Sequence, residues 1–152
     1  MSRKRHNDLS TRYGPLAAYV FGRPGAVARL DGIIQRGQAM TSILNFGEVV
    51  EYLRSFPNFV QNEQILRGLL RYAVRPYTLT YAIGIRYADL RRMMRATRGP
   101  NGQPIGLIGD IDTLIAATAL EHQSTLITTD SDYARVPGLS VQLLTLAQLR
   151  AP

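Results

Sequence analysis

Cysteine is absent from this 152-residue chain, which excludes disulfides and thiolate metal sites. Any metal ligand must come from oxygen donors or from the two histidines, His6 and His122. Lysine is nearly absent too: Lys4 is the only one, and the other basic residues are arginine. No apolar run approaches the length of a membrane span, and residues 1–15 lack the apolar core of a signal peptide. These absences predict cytoplasmic residence and no membrane partner. Internal repeats and low-complexity tracts are missing as well. What is present is a chain of one-domain length, 45% hydrophobic and 19% charged, the balance of a folded globular protein.

The formal charge is +7 and the isoelectric point about 10.2, which suits a polyanionic partner. Part of that excess is local, since Arg3, Lys4, Arg5 and Arg12 face only Asp8 in the first twelve positions. The preference for arginine fits phosphate recognition by a planar guanidinium, and is equally what a GC-rich coding bias yields. Charge permits nucleic acid without establishing it.

Residues 1–14 form a basic, atypical N-terminal segment, and residues 15–152 the folded domain. From Pro15 the pattern turns helical through Phe21, breaks at Gly22-Arg23-Pro24, and resumes with Pro24 at a favoured helix start. A brief strand is expected at Thr41–Leu44, a helix from Phe46 to Phe56, and another from Asn62 to Tyr72 with Ile65, Leu66, Leu69 and Leu70 on its apolar face. Pro76–Leu79 suggests a short strand, and Thr80 a cap for a helix reaching Ala96. Arg98–Pro104 is the one clear loop. An acidic helix follows, then a strand at Thr125–Thr128, a loop through Pro137-Gly138, a last strand at Val141–Leu144 and a closing helical turn. Short strands alternating with helices predict a three-layer α/β/α domain around a short parallel sheet.

Acidic residues carry the chemistry. In an open parallel α/β sheet ligands bind beyond the carboxyl ends of the strands. Glu48 follows a short strand, Asp112 opens a helix with apolar neighbours Ile111, Leu114 and Ile115, and Asp130 ends a buried strand. Each has an ordinary reading: a helix-dipole carboxylate for Glu48 and Asp112, a turn residue for Asp130. Together they would put hard oxygen ligands on one rim, as Mg²⁺ or Mn²⁺ requires. Asp110 reads as an N-cap, Asp132 as a turn residue, Glu51 and His122 as surface residues and Tyr133 as a packing aromatic.

At these residues the chain resembles the PIN-domain nucleases of the VapC toxin type, over about Ala17 to Leu144. The likeness is strongest in Ile108-Gly109-Asp110-Ile111-Asp112-Thr113-Leu114-Ile115-Ala116-Ala117 and in Leu126-Ile127-Thr128-Thr129-Asp130-Ser131-Asp132-Tyr133. Asn45-Phe46-Gly47-Glu48-Val49-Val50 and Arg135-Val136-Pro137-Gly138-Leu139 extend it. The resemblance implies a PIN-like fold and a Mg²⁺- or Mn²⁺-dependent endoribonuclease, with Glu48, Asp112 and Asp130 as metal ligands and catalytic carboxylates. It also implies an RNA substrate, a homodimer and a cognate antitoxin covering the site, with the apolar faces of Leu16–Phe21 and Ile65–Leu70 as candidate surfaces. One family feature is missing: an apolar first strand ending in Asp-Thr or Asp-Ser, where this chain has Arg12-Tyr13. Asp8 is the only acid upstream that could replace it. A PIN domain that binds RNA or antitoxin without cleaving is therefore the alternative. A haloacid-dehalogenase-type phosphatase, suggested by Asp110-Ile111-Asp112-Thr113, fails because that motif should come early and its downstream lysine is absent.

Overall fold

A computed structural model describes residues 14–152, so Asp8 and nearly all of the basic segment lie outside the described residues. Seven helices and four strands follow in the order α1 (Gly14–Val20), α2 (Pro24–Gln35), β1 (Ala39–Ser42), α3 (Ile43–Leu53), α4 (Phe59–Tyr72), β2 (Val74–Tyr77), α5 (Tyr81–Ala96), α6 (Asp110–Glu121), β3 (Leu126–Thr128), β4 (Val141–Leu143) and α7 (Leu146–Arg150). A short 3₁₀ helix, Ser131–Arg135, leaves β3. The alternation matches the expected α/β pattern almost element for element.

One boundary moves. Thr41–Leu44 was expected as strand, but β1 ends at Ser42 and Ile43 already belongs to α3. The Ser42 hydroxyl accepts the Asn45 backbone N–H at 3.0 Å, which caps the helix and converts strand to helix without a linker. The Asn45 side chain adds a bond to the Thr41 hydroxyl at 3.0 Å.

The strands pair as two parallel couples, β1 with β2 (Ala39 opposite Val74) and β3 with β4 (Leu126 opposite Val141). Among the described residues the couples are not hydrogen-bonded to each other, so the expected single sheet is present as two halves. Pro76 sits in β2, which has no second neighbour there, the place where a strand tolerates a missing N–H.

Helices cover the strands from both sides, and period-two alternation along β3 records it. Leu126 packs with Ile83, Leu90, Ile115 and Ala116 of α5 and α6, whereas Ile127 packs with Ala26 and Leu30 of α2. A third cluster joins α1, α3 and α4 through Ala17, Val20, Val49, Leu53 and Leu66. The apolar face of α1 is thus spent inside the domain, with Phe21 set edge-on to Tyr52 and Phe56. On α4, Ile65 and Tyr72 stay exposed.

The C-terminal helix docks on the start of α2 by close backbone approach. A Cβ on Gly25 would meet the carbonyl oxygen of Gln148 at 1.9 Å and that of Ala151 at 2.3 Å. Arg29 Nη1 donates to the Gln148 carbonyl at 2.9 Å, tying the same junction. Gly25→Ala is expected to lower stability by about 1–3 kcal/mol, the usual cost of overpacking, measured by urea denaturation. An unchanged denaturation midpoint would show that α7 does not hold this position.

Candidate metal centre

Three carboxylates reach one cleft from three different elements. The cleft, about 1020 Å³ among the described residues, runs between β1 and β3 and is bordered by Glu48, Asp112 and Asp130. The cap at Ser42 starts α3 where β1 ends, and the helix then carries Glu48 to the rim in its second turn. Asp112 is the third residue of α6, behind the N-cap Gly109. Asp130 stands just past the carboxyl end of β3.

Asp112 is the best defined. Its Oδ1 accepts the Tyr133 hydroxyl at 3.0 Å, and its Oδ2 lies over Gly109, where a Cβ would come within 3.1 Å. Gly109 therefore leaves the room that this carboxylate occupies. Partial burial raises the Asp112 pKa, the Tyr133 hydrogen bond lowers it, and the charges of Asp130 and Asp132 raise it again. Tyr133 is buried, and its own pKa is pushed up first by burial, then by Asp112, Glu48 and Asp130. All three candidate carboxylates therefore act on one hydroxyl.

Asp130 divides its duties. Its Oδ1 accepts the Asp132 N–H at 2.8 Å and caps the 3₁₀ helix, while its own N–H donates to the Thr128 hydroxyl at 3.1 Å. The capped turn in turn carries Tyr133 to Asp112. Asp132 faces away in an ion pair with Arg135 at 3.0 Å. Glu51, expected as a surface charge, is exposed at the rim of the same cleft.

The N-cap expected at Asp110 falls on Gly109 instead, and Asp110 is the first helical residue. Residues two apart on a helix point about 200° from each other, so Asp110 and Asp112 serve different neighbours. Asp110 Oδ1 accepts from the Tyr87 hydroxyl at 2.9 Å and from Arg91, both on α5. Residues 105–109 form no strand, so Asp110 does not stand at a strand end as a phosphatase nucleophile would. His122 caps the far end of α6, its ring stacked on Tyr77 at 3.6 Å between centroids.

The sequence reading missed Tyr133 as a functional contact. The available signal was its place three residues after Asp130, the repeat of a 3₁₀ turn that a capping aspartate starts.

The donor set is chemically suited to a hard divalent cation, being all ionisable oxygen on an open, solvated cleft. Among the described residues, no three acidic or histidine side chains stand close enough to hold one ion together. Mg²⁺ does not demand three, since it keeps several waters and is commonly held through one or two carboxylates. On that ground the residues fit the group.

Comparison with known proteins gives a consistent result. Residues 16–139 match the family model of the PIN domain. Among solved structures, the fold is similar to VapBC2 from Rickettsia felis bound to a promoter DNA fragment, with a TM-score of 0.66 at 20% identity over 84% of this chain and 92% of that one. It is also similar to DNA-bound VapBC from Salmonella typhimurium, with a TM-score of 0.63 at 15% identity over 81% and 87% of the two chains. For VapBC-1 from nontypeable Haemophilus influenzae the TM-score is 0.55 at 22% identity, over 69% and 73%. No curated protein matches the chain.

The raised Asp112 pKa has a consequence for stability. The folded state holds that proton more tightly than the unfolded chain, so stability falls as pH rises from the ordinary aspartate value through the raised one. The penalty persists at neutral pH. Asp112→Asn removes it, and the new Oδ1 still accepts from Tyr133. The metal-free variant is expected to melt at the same temperature as the parent or higher at neutral pH, with the difference closing in acid. A markedly lower melting temperature at neutral pH would make Asp112 a structural cap.

Proposed function

The chain belongs to the PIN-domain family, and from that premise we propose that it is a Mg²⁺- or Mn²⁺-dependent endoribonuclease, the toxin of a VapC-type pair. The observation that carries this reading is the convergence of Glu48, Asp112 and Asp130 on one cleft, with a common effect on Tyr133. Ionised carboxylates accept hydrogen bonds and cations without donating protons, as a site for a hydrated cation needs. When bound, the cation supplies Lewis acidity toward a phosphate oxygen and a more acidic water.

The protein's own groups have separable roles. One or two of Glu48, Asp112 and Asp130 would hold the cation, and the others would orient water for attack on phosphorus. Tyr133 fixes one oxygen of Asp112 and leaves the other for the site. The cap at Asp130 holds the segment that carries Tyr133. Attack of water on phosphorus with departure of the 3′ oxygen, which takes up a proton, leaves a 5′-phosphate and a 3′-hydroxyl.

Partners follow from the same reading. The similar structures are VapB–VapC assemblies, which supports a cognate antitoxin here. A homodimer and a cytoplasmic RNA substrate belong to the same proposal. Of the two candidate surfaces, Ile65 on α4 keeps an exposed apolar side chain, with Tyr72 two turns on.

A second reading, a PIN domain that binds without cleaving, is favoured by one observation: no three acids stand within reach of one ion among the described residues. One assay separates the two. Purified protein is expected to cleave labelled single-stranded RNA with Mn²⁺ and not with EDTA. Glu48→Gln should reduce the rate by at least about 100-fold, the upper range for losing even an outer partner of a metal site. RNA binding with no Mn²⁺-dependent cleavage would establish the second reading.

A further inference from the structure

Among the described residues, the net positive charge is concentrated in one segment. Residues 14–152 hold fourteen arginines against ten acids, a net charge of +4. The thirteen residues Arg86 to Arg98 hold Arg86, Arg91, Arg92, Arg95 and Arg98 against Asp89 alone, also a net +4. The remainder of the described chain is neutral. Within the basic segment two arginines are matched by acids of α6: Arg86 with Glu121 at 3.4 Å, and Arg91 with Asp110. Among the described residues, Arg92, Arg95 and Arg98 make no ion pair, and Asp89 makes none either. Arg98 donates only to the Arg95 carbonyl, at 2.9 Å.

The two matched pairs also fix direction. Arg86 meets the C-terminal end of α6 and Arg91 its N-terminal end, so the helices run antiparallel. Continuing along α5, Arg92, Arg95 and Arg98 come to lie at and beyond the N-terminal end of α6, the end that carries Asp112. Arg92 and Arg95 ride on the last turns of α5 and Arg98 follows its C-cap Thr97, so the row runs outward from the end of α6 that carries Asp112. All three unmatched arginines are exposed.

An acidic cleft repels the polyanion on which a nuclease must act, so an adjoining cationic surface is needed to bring the strand in. Arg92 and Arg95, one turn apart on α5, also repel one another unless an anion lies across them. We propose that Arg92, Arg95 and Arg98 contact consecutive phosphates of a single-stranded RNA and lead its backbone to the cleft of Glu48, Asp112 and Asp130. This rests on the nuclease reading and adds the surface that receives the substrate. Guanidinium forks suit phosphate, and contacts to the backbone position a strand without selecting its sequence. An unpaired strand bends into a concave site more readily than a duplex.

The test is fluorescence anisotropy of a labelled oligouridylate with the full chain in EDTA, where cleavage is suppressed, over a range of salt concentrations. The triple change Arg92→Gln, Arg95→Gln, Arg98→Gln keeps good helix formers. It is expected to weaken binding at least about tenfold and to reduce the slope of log affinity against log salt by about 2. The double change Arg71→Gln, Arg75→Gln removes exposed charge elsewhere and should leave binding nearly as in the parent. The triple lysine variant should regain most of the salt slope, which a merely misfolded glutamine variant could not explain. Basic residues in the first twelve positions are common to all proteins compared, so their contribution cancels. Equal affinity and slope for parent and triple glutamine variant would overturn the proposal, as would failure of the parent to bind RNA. Equal or tighter binding of duplex DNA, lost in the same variant, would overturn the assignment to single-stranded RNA. Mn²⁺-dependent cleavage with an unaltered triple variant would sink the arginine row and leave the nuclease standing. Weakened binding by the variant without any cleavage by the parent would do the reverse.

Discussion

Negative charge gathered on one rim by Asp112, Asp130 and Glu48 is the constraint on which the other features of this structure depend, because partial burial of Asp112 and the charge of Asp130 both disfavour the ionised form of Asp112. Each is accommodated by a different device. Asp112 sits in the first turn of α6, where the helix dipole favours an anion, and takes the Tyr133 hydroxyl. Asp130 places one oxygen on a backbone N–H and so stays anchored while caging the turn that bears Tyr133. Glu48 rides on a helix whose start is set by Ser42 and Asn45 rather than by any acid. A divalent cation bound in the cleft would lower the repulsion between Asp112 and Asp130.

Charge is sorted as much as it is gathered. Asp110 and Asp112 stand two residues apart, yet α5 takes the first and the cleft takes the second, because helical rotation points them to opposite sides. The Asp110 contacts fasten α5 to the start of α6, which is what sets the direction of the arginines beyond. Asp132 pairs with Arg135, whose Nη1 also donates to the Ile105 carbonyl at 2.7 Å, yet its charge still raises the Asp112 pKa. Glu48, Asp112 and Asp130 border the cleft.

Much of this was legible from residue order, and the reasons are local. The short apolar run Leu126-Ile127-Thr128 and the cap at Thr80 are short-range features, so those elements fell close to where their patterns put them, whereas the cap at Ser42 was read as strand. Strand ends and helix starts then bring Glu48, Asp112 and Asp130 to one cleft by geometry alone. The contacts that were not legible are long-range. Tyr133 reaches Asp112 across 21 positions and Arg91 reaches Asp110 across 19, and the local spacing of Tyr133 from Asp130 does not name its distant partner. An aromatic beside an aspartate could as well have packed without a hydrogen bond, and the parting of the strands into two couples depends on neighbours distant in the chain.

The central claim is that the cleft holds a divalent cation on these carboxylates, and anomalous diffraction from crystals grown with Mn²⁺ tests it most directly. The account predicts a peak at about 2.0–2.6 Å from a carboxylate oxygen of Asp112, shared with Glu48 or Asp130 directly or through water. A cleft without a peak at saturating Mn²⁺, or a peak on Asp110 or Asp132 instead, would contradict it.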